Sequence, residues 1–460
     1  MQRALIVCLL CVAATASSAQ TLTVLANFDY TDGSSPLSRL VQGLDGKLYG
    51  TTSEGGAGFY GTVFAFSAAG QIATLHSFAV ADGAYPDTAL VQAPNGNFYS
   101  TTNEGGSKGC GGFGCGTVFS ITPRGKLTPL HIFDGTDGLL PEGLLEASNG
   151  NFYGFTDQGG PASACTVGCG TIFKVTPAGK FSTVLNFDGA DGDLAAGVLV
   201  QGADGDYYGT TFGGGAEGIG TIFKITPAGT LTTLYSFCRC ASGYGPDAGL
   251  VETANGDFYG TTSMGGTYGF GTIFKFTASG ALTGLYSFDA LDGPAALVVA
   301  TDGNLYGTTI HGGTSSECVG NCGFIYRMTP AGEFTTLFNF DSTNGPSYAG
   351  LLQATDGNFY GTSYDGGTTG DGVIFRFSVG LGPFVKTLPA AGTVGATVHI
   401  LGTDLTGPAS VAFNGVPAAV TSLSASEIVT TVPAGATTGK VTVTIPSGML
   451  TSNVAFQVRP

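Results

Sequence analysis

From Thr21 onward, apolar residues fall in short runs with a period of two, separated by turns rich in Gly, Asn and Asp. Such alternation over about four to eight residues is the mark of strands that bury one or both faces. One stretch shows the unit clearly. Gly249 to Thr253 (GLVET) turns through Asn255-Gly256 into Asp257 to Thr262 (DFYGTT), and Asn-Gly is a strong hairpin signal. Gly265-Gly266 and a variable loop lead into Gly271 to Thr277 (GTIFKFT), and a turn at Ser279-Gly280 precedes Ala281 to Phe288 (ALTGLYSF). β-Branched and aromatic residues fill these segments, so the pattern predicts four strands per unit and an all-β fold.

The unit recurs along most of the chain. The phrase D/N-G-x-F/L/Y-Y-G-T-T places its Tyr at Tyr49, Tyr99, Tyr153, Tyr208, Tyr259, Tyr306 and Tyr360, 47 to 55 residues apart, which is the period of propeller blades. The first three strand types occur seven times, but the fourth follows only six of these sets, because after Val373 to Ser378 the chain leaves through Gly380-Leu381-Gly382-Pro383. The missing copy stands at the other end, where Thr21 to Phe28 (TLTVLANF) matches Thr230 to Phe237 (TLTTLYSF). Residues 20–381 therefore read as a seven-bladed β-propeller closed by the N-terminal strand, which would cover an otherwise bare sheet edge.

After Pro383 the Tyr-Gly phrase vanishes and Ala, Thr and Val dominate. Alternating segments at Thr397 to Leu401, Ser410 to Phe413, Ile428 to Val432, Lys440 to Ile445 and Val454 to Val458 predict a small β-sandwich over residues 382–460.

Two resemblances fit this division. The run D-G-N-F-Y-G-T-T, then G-G, then G-T-I-F-K-I-T-P-A-G resembles the Gloeo/Verruco tandem repeat of exported bacterial proteins, with departures such as Ser100 for Gly and Phe155 for Thr. That resemblance implies an NHL-like propeller layout and no established activity. The run P-A-A-G-T-V-G, V-H-I-L-G, V-A-F-N-G-V-P-A and V-P-A-G resembles the IPT/TIG family, which implies that the sandwich is an immunoglobulin-like β-sandwich; members in exported proteins serve mostly as spacers or binding appendages.

Composition narrows the partners. Seventy-eight glycines in 460 residues, with only 10% charged residues, exclude a mainly helical chain, and a hydrophobic share of 43% excludes a disordered one. Thirty-two acidic against 16 basic residues give a net charge of -16, which argues against nucleic acid as a partner. Arg3, the apolar run Ala4 to Ala14 and small residues up to Ala19 have the layout of a signal peptide over residues 1–19. The expected product is a secreted or cell-surface protein, extracellular or periplasmic, with no membrane span in the mature chain. Eight cysteines remain in four close pairs: Cys110 with Cys115, Cys165 with Cys169, Cys238 with Cys240 and Cys318 with Cys322. In an exported chain they read as disulfides, zinc being the alternative.

Enzyme signatures are sparse. Gly109 to Gly114 fits G-x-G-x-x-G but opens no helix, and no Gly-Lys pair continues into a phosphate loop. His76, His131 and His399 fall within strands and read as structural, as do the seven Tyr, which share one register. The D-x-x-D-G loops beginning at Asp29, Asp134, Asp188 and Asp289 read as Asx turns, with calcium as the lesser alternative. The residue before each Gly-Gly is a different matter. On a closed ring His311, Asp365, Glu54 and Glu104 fall on four consecutive blades, a polar arc suited to a ligand or a divalent cation. The expected function is a monomeric, non-enzymatic binding or surface-interaction protein, with variable loops on one face meeting an extracellular protein, polysaccharide or small ligand. The alternative is a metal-assisted propeller enzyme, a lyase or hydrolase acting on an extracellular substrate.

Overall fold

The computed structural model describes residues 20–106, 109–161, 165–277, 279–289, 293–317, 322–407 and 409–459. The expected signal peptide lies outside them, as do Asp292 and Cys318. No α-helix occurs among the described residues; a single 3-10 turn covers Cys110–Gly112. Residues 20–378 form seven antiparallel sheets, numbered here by repeat through their second strands: Leu48–Thr52, Phe98–Thr102, Phe152–Gln158, Tyr207–Gly213, Phe258–Thr262, Leu305–Thr308 and Phe359–Ser363. In sheet one the order follows the chain, Val41–Gln42, Leu48–Thr52, Thr62–Phe66 and Ile72–Ser77. Sheet seven joins the two ends of the array. Its outer strand is Thr21–Asn27, with Thr21 opposite Ser378 and Asn27 opposite Val373.

The repeated phrase explains itself once both faces of a sheet are covered. Successive strand residues point to opposite faces, so two adjacent large residues are both buried only when a neighbour lies on each side. Tyr49 stacks on Phe98 of the next sheet with ring centroids 4.2 Å apart, and Tyr99–Phe152, Tyr153–Tyr207, Tyr208–Phe258 and Tyr306–Phe359 repeat the contact. The seven Tyr are therefore packing residues; six are buried and Tyr360 is half-buried. Except at Tyr259, their hydroxyls reach the turn residue four positions earlier, as in Tyr49 Oη to Asp45 Oδ2 at 2.8 Å, which ties the D/N of the phrase to its Tyr. The Gly after the Tyr is required by packing, since a Cβ on Gly50 would lie 2.6 Å from Phe64 Cζ.

A second set of aromatic contacts runs around the whole array. The Phe ending each outer strand meets the third strand of the next sheet edge to face: Phe78–Phe119, Phe133–Phe173, Phe187–Phe223, Phe237–Phe274, Phe288–Tyr326, Phe340–Phe375 and, from sheet seven to sheet one, Phe28–Phe64. Hydrogen bonds link the same sheets: Gln92 accepts from Leu44 N, Gln201 from Ser148 N, Gln353 from Thr301 N, and Gln42 of sheet one from Thr355 N of sheet seven. Except in sheet four, where Asp193–Gln201 pairs along nine residues, the inner strands are shorter than the apolar pattern suggests. Val251–Glu252 stands where five residues alternate, because the residues before it line a central space without pairing.

The C-terminal residues form two further sheets around Val398, Ile400, Val411, Phe413, Ile428, Val441, Val443 and Phe456. The last strand, Gly448–Arg459, starts earlier than the sequence pattern indicates and pairs in parallel with Ala391–Thr393. This sandwich sits on the short turns of the repeats. Ser426 Oγ donates to Leu44 O at 2.8 Å, Phe384 N to Thr355 O at 3.0 Å, and Lys386 Nζ to Gln353 O at 2.6 Å.

Candidate functional site

The loops between second and third strands and those leaving outer strands share the face opposite the sandwich. Gly56 N, for example, donates to Tyr30 O at 2.8 Å, joining the two loop types. Gly55 and Gly56 hold positive φ there, and a Cβ on Gly55 would lie 2.6 Å from Tyr30 O, so the Gly-Gly pair is what lets the loops touch. Disulfides Cys110–Cys115, Cys165–Cys169 and Cys238–Cys240 lie in these loops. Cys322 is buried; its expected partner Cys318 is outside the described residues. The Asp loops are Asx turns where described, Asp29 Oδ1 accepting from Thr31 N and Asp188 Oδ1 from Ala190 N. His76 bonds Asp82 at 3.0 Å and His131 bonds Asp137 at 2.7 Å, which accounts for both histidines as braces of the loop after their strand.

Between the seven inner strands lies a channel with a cavity of about 1450 Å³, to which every sheet contributes and whose far end is lined by Thr387 to Ala391 and Gln457 to Arg459 of the sandwich. Toward the loop face its wall carries Asp87, Glu142 and Asp247, and deeper in come Arg39, Glu146 and Glu252. Burial pushes these carboxyls up. Glu142 rises to about 8 through burial, with the charges of Asp157 and Asp87 adding to it. Asp87 rises to about 6 through burial, which outweighs a Ser53 hydroxyl that favours its charged form, while Glu104 and Glu54 repel it further. Asp157, raised by burial and by Asp193, and Asp247, raised by burial, also reach about 6. Glu146 reaches about 7 through burial. Arg39 projects into the channel where water reaches it, yet protein rings it closely enough to disfavour its charge.

The four residues of the expected arc divide into two groups. Glu54 and Glu104 both act on Asp87, so sheets one and two bring them together at the mouth. Asp365 is exposed beside Tyr348, burial raising its carboxyl, and half-buried His311 forms no ion pair among the described residues. Asp87, Glu142, Asp157 and Asp247 escaped the sequence reading because they precede the paired residues of inner strands or stand near the end of a second strand, where other repeats carry apolar residues such as Leu37, Pro294 and Phe212. The available signal was an acid next to a Pro, as in Pro86-Asp87, Pro141-Glu142 and Pro246-Asp247.

The exposed large apolar side chains of the repeats cluster on the same face. Tyr30, Phe59, Phe113, Val167, Tyr268, Tyr348 and Tyr364 all lie in its loops, and Tyr348 and Tyr364 meet edge to face with centroids 5.3 Å apart. Among the exposed large apolar side chains of the described residues before Val379, Ile132 alone lies elsewhere, in an outer strand.

An all-β, propeller-like array followed by a β-sandwich defines the class of protein. The chain belongs to the Gloeobacter/Verrucomicrobia repeat family, whose model matches residues 11–167, 109–319 and 292–415, and an IPT/TIG domain matches residues 384–458. Solved structures similar in fold include virginiamycin B lyase from Staphylococcus aureus, 16% identical over 78% of this chain and 99% of that one, with a TM-score of 0.54. A fungal alcohol oxidase in complex with copper is 14% identical over 96% of this chain and 99% of its own, with a TM-score of 0.52. The extracellular domain of a hybrid two-component system protein from B. thetaiotaomicron is 12% identical over 96% of this chain and 58% of its own, with a TM-score of 0.50. At these identities the likeness concerns the fold alone. No curated protein matches the chain.

Proposed function

We propose that the protein is an exported, non-enzymatic binding protein: a closed seven-bladed β-propeller over residues 20–381 presents its variable loop face and channel mouth to a ligand, and the IPT/TIG module over residues 382–460 closes the other end. Seven edge-to-face aromatic pairs, the last from sheet seven to sheet one, support the closed ring. Disulfides in the loops support an oxidising destination. The observation that carries the binding reading is the concentration of exposed aromatic side chains on one face, around an acidic opening. Exposed apolar side chains gathered in one place mark interaction sites, and a rigid scaffold holds loops ready for them.

The test is capture from native culture supernatant by the wild type and by a Tyr348→Ala, Tyr364→Ala, Phe59→Ala variant, with eluates resolved by mass spectrometry. Ligands retained by the wild type and lost by the variant are expected. Equal capture by both proteins removes the reading. The enzyme alternative has one specific observation in its favour, a protonated Glu142 facing an ionised Asp87 at neutral pH, the arrangement of an acid and a base. Conversion of a captured ligand, abolished in Glu142→Gln, would favour it.

A further inference from the structure

One turn on the loop face departs from the other six. After Phe28, Phe78, Phe133, Phe187, Phe288 and Phe340 the chain runs through five residues ending in Gly, such as Asp29 to Gly33 and Asp188 to Gly192, and each of these turns carries one or two carboxylates and no base. After Phe237 it runs through six, Cys238 to Gly243 (CRCASG), with no carboxylate and with Arg239 between the two cysteines. The residue before the Gly keeps its place. Thr272 Oγ1 donates to Ser242 O at 2.8 Å, as Thr62 Oγ1 does to Asp32 O and Thr221 Oγ1 to Asp191 O. Its side chain has a new partner. Asp32 and Asp191 accept from the backbone N of Asp29 and Asp188, whereas the Ser242 hydroxyl lies 3.1 Å from Cys240 Sγ, and a bridged sulfur has no proton, so Ser242 donates.

The Cys238–Cys240 bridge adds little as a staple. Cys240 N donates to Cys238 O at 2.7 Å and Gly243 N to Cys240 O at 3.2 Å, so the backbone already closes the turn. With a sequence separation of two, the bridge also takes the least freedom from the unfolded chain of the three described disulfides. Access sets it apart as well. Cys115 and Cys169 are buried, which shields one end of each of the other bridges, while Cys238 and Cys240 are both half-buried. Arg239 is exposed, lies over the Tyr244 ring 5.8 Å from its centroid, and forms no ion pair among the described residues. On a chain of net charge -16, this turn offers an approaching thiolate a cation where its six counterparts offer carboxylates.

We propose that Cys238–Cys240 is a thiol–disulfide exchange site that passes its bridge to a dithiol of an exported polypeptide. A thiolate of the polypeptide attacks Cys238 Sγ, the bond to Cys240 breaks, and the electron pair leaves on Cys240 Sγ, where the Ser242 hydroxyl and the charge of Arg239 favour the thiolate. The second thiolate of the polypeptide then attacks its own first sulfur in the mixed disulfide and releases Cys238. Two electrons and two protons have then moved from the polypeptide, which holds the new disulfide, to this chain, which holds the dithiol. A hydrogen-bond donor on the leaving sulfur stabilises the reduced form and so makes the pair oxidising. The reverse exchange with a small organic disulfide restores the bridge. None of this chemistry requires the aromatic rim or the channel, so it stands apart from the binding reading.

The full chain is equilibrated with glutathione and glutathione disulfide at a series of ratios, free thiols are alkylated, and each cysteine is assigned by peptide mass spectrometry. Cys238–Cys240 should open at a ratio roughly tenfold or more on the oxidising side of that which opens Cys110–Cys115 or Cys165–Cys169. Mixed with an equimolar synthetic peptide carrying two thiols, the chain should yield one peptide disulfide and free thiols at Cys238 and Cys240 alone. Arg239→Glu and Ser242→Ala should each slow that transfer about fivefold or more, and Arg239→Lys should keep it within about twofold. Free thiols at Cys238 and Cys240 in protein purified without reductant, a bridge that opens with or after the other two, peptide oxidation that persists in a Cys238→Ser, Cys240→Ser variant, or a transfer rate indifferent to the charge at position 239 would overturn the proposal. The glutathione series needs no variant, so instability of a variant cannot mask the answer.

Discussion

At the scale of single residues, the channel trades stability for exposed chemistry. Glu142 keeps its proton up to about pH 8 in the folded chain, whereas an unfolded Glu releases it near ~4.3. The folded state therefore binds more protons than the unfolded one between these values, and the contribution to stability falls as pH rises through that window. Glu142→Gln keeps the shape of the neutral carboxyl and cannot lose a proton. Its melting temperature should gain on that of the wild type by several degrees or more between pH 5 and pH 8.5, since the wild type loses about 1.4 kcal/mol for each pH unit crossed in that window, roughly 4 kcal/mol in all. A difference that is the same at both pH values, read by scanning calorimetry, would show that Glu142 does not titrate as argued.

At the scale of strands and loops, closure is the claim with the clearest consequence. Phe28 is fully buried against Phe64, and its strand covers the edge of Val373–Ser378. Phe28→Ala should cost about 3–5 kcal/mol, as in other buried aromatic truncations. Removal of residues 20–28 should also expose the edge and promote self-association, visible by light scattering. An unchanged melting temperature in either variant would count against closure. The loop disulfides make the opposite forecast. Two of them, Cys110–Cys115 and Cys165–Cys169, have sequence separations of five and four, so the chain-entropy estimate is about 2 kcal/mol each, and Cys238–Cys240, with a separation of two, closes a still shorter loop; reduction should loosen the loop face while the sheets stay folded. Global unfolding on reduction, seen in the far-ultraviolet circular dichroism, would refute this.

These elements also mark what the sequence could convey. The strands and turns were legible because Asn255-Gly256 and the paired large residues at Phe258 and Tyr259 fix register locally. The N-terminal strand was legible because its match to Thr230–Phe237 could be counted. The acids of the channel were not, since Asp87, Glu142 and Asp247 are made neighbours of one space by the ring and share no local pattern beyond an adjacent Pro. The place of the sandwich was equally hidden, because a contact such as Ser426 to Leu44 joins residues 382 positions apart and has no local signature.

At the scale of the whole molecule, the sandwich closes the channel, and one side chain at the junction makes that contact sensitive to pH. Lys386 Nζ donates to Gln353 O and lies over the Phe384 ring, 5.5 Å from its centroid. Its removal from water, followed by the like charge of Arg39 and partly offset by Asp356, lowers it to about 7. Undocked, a lysine releases its proton near ~10.4. The docked state thus binds fewer protons between these values, so docking is strongest above about pH 10 and weakens as pH falls toward 7. Lys386→Met removes the buried charge and retains an apolar side chain. Cleavage of the connection between Ser378 and Phe384 by a broad-specificity protease, compared between the two proteins at each pH so that the protease's own dependence cancels, measures the opening. The wild type should be cut several-fold faster than Lys386→Met at pH 7, and the two should converge at pH 10. Equal ratios at both pH values would mean that Lys386 is not what governs how the sandwich sits on the channel.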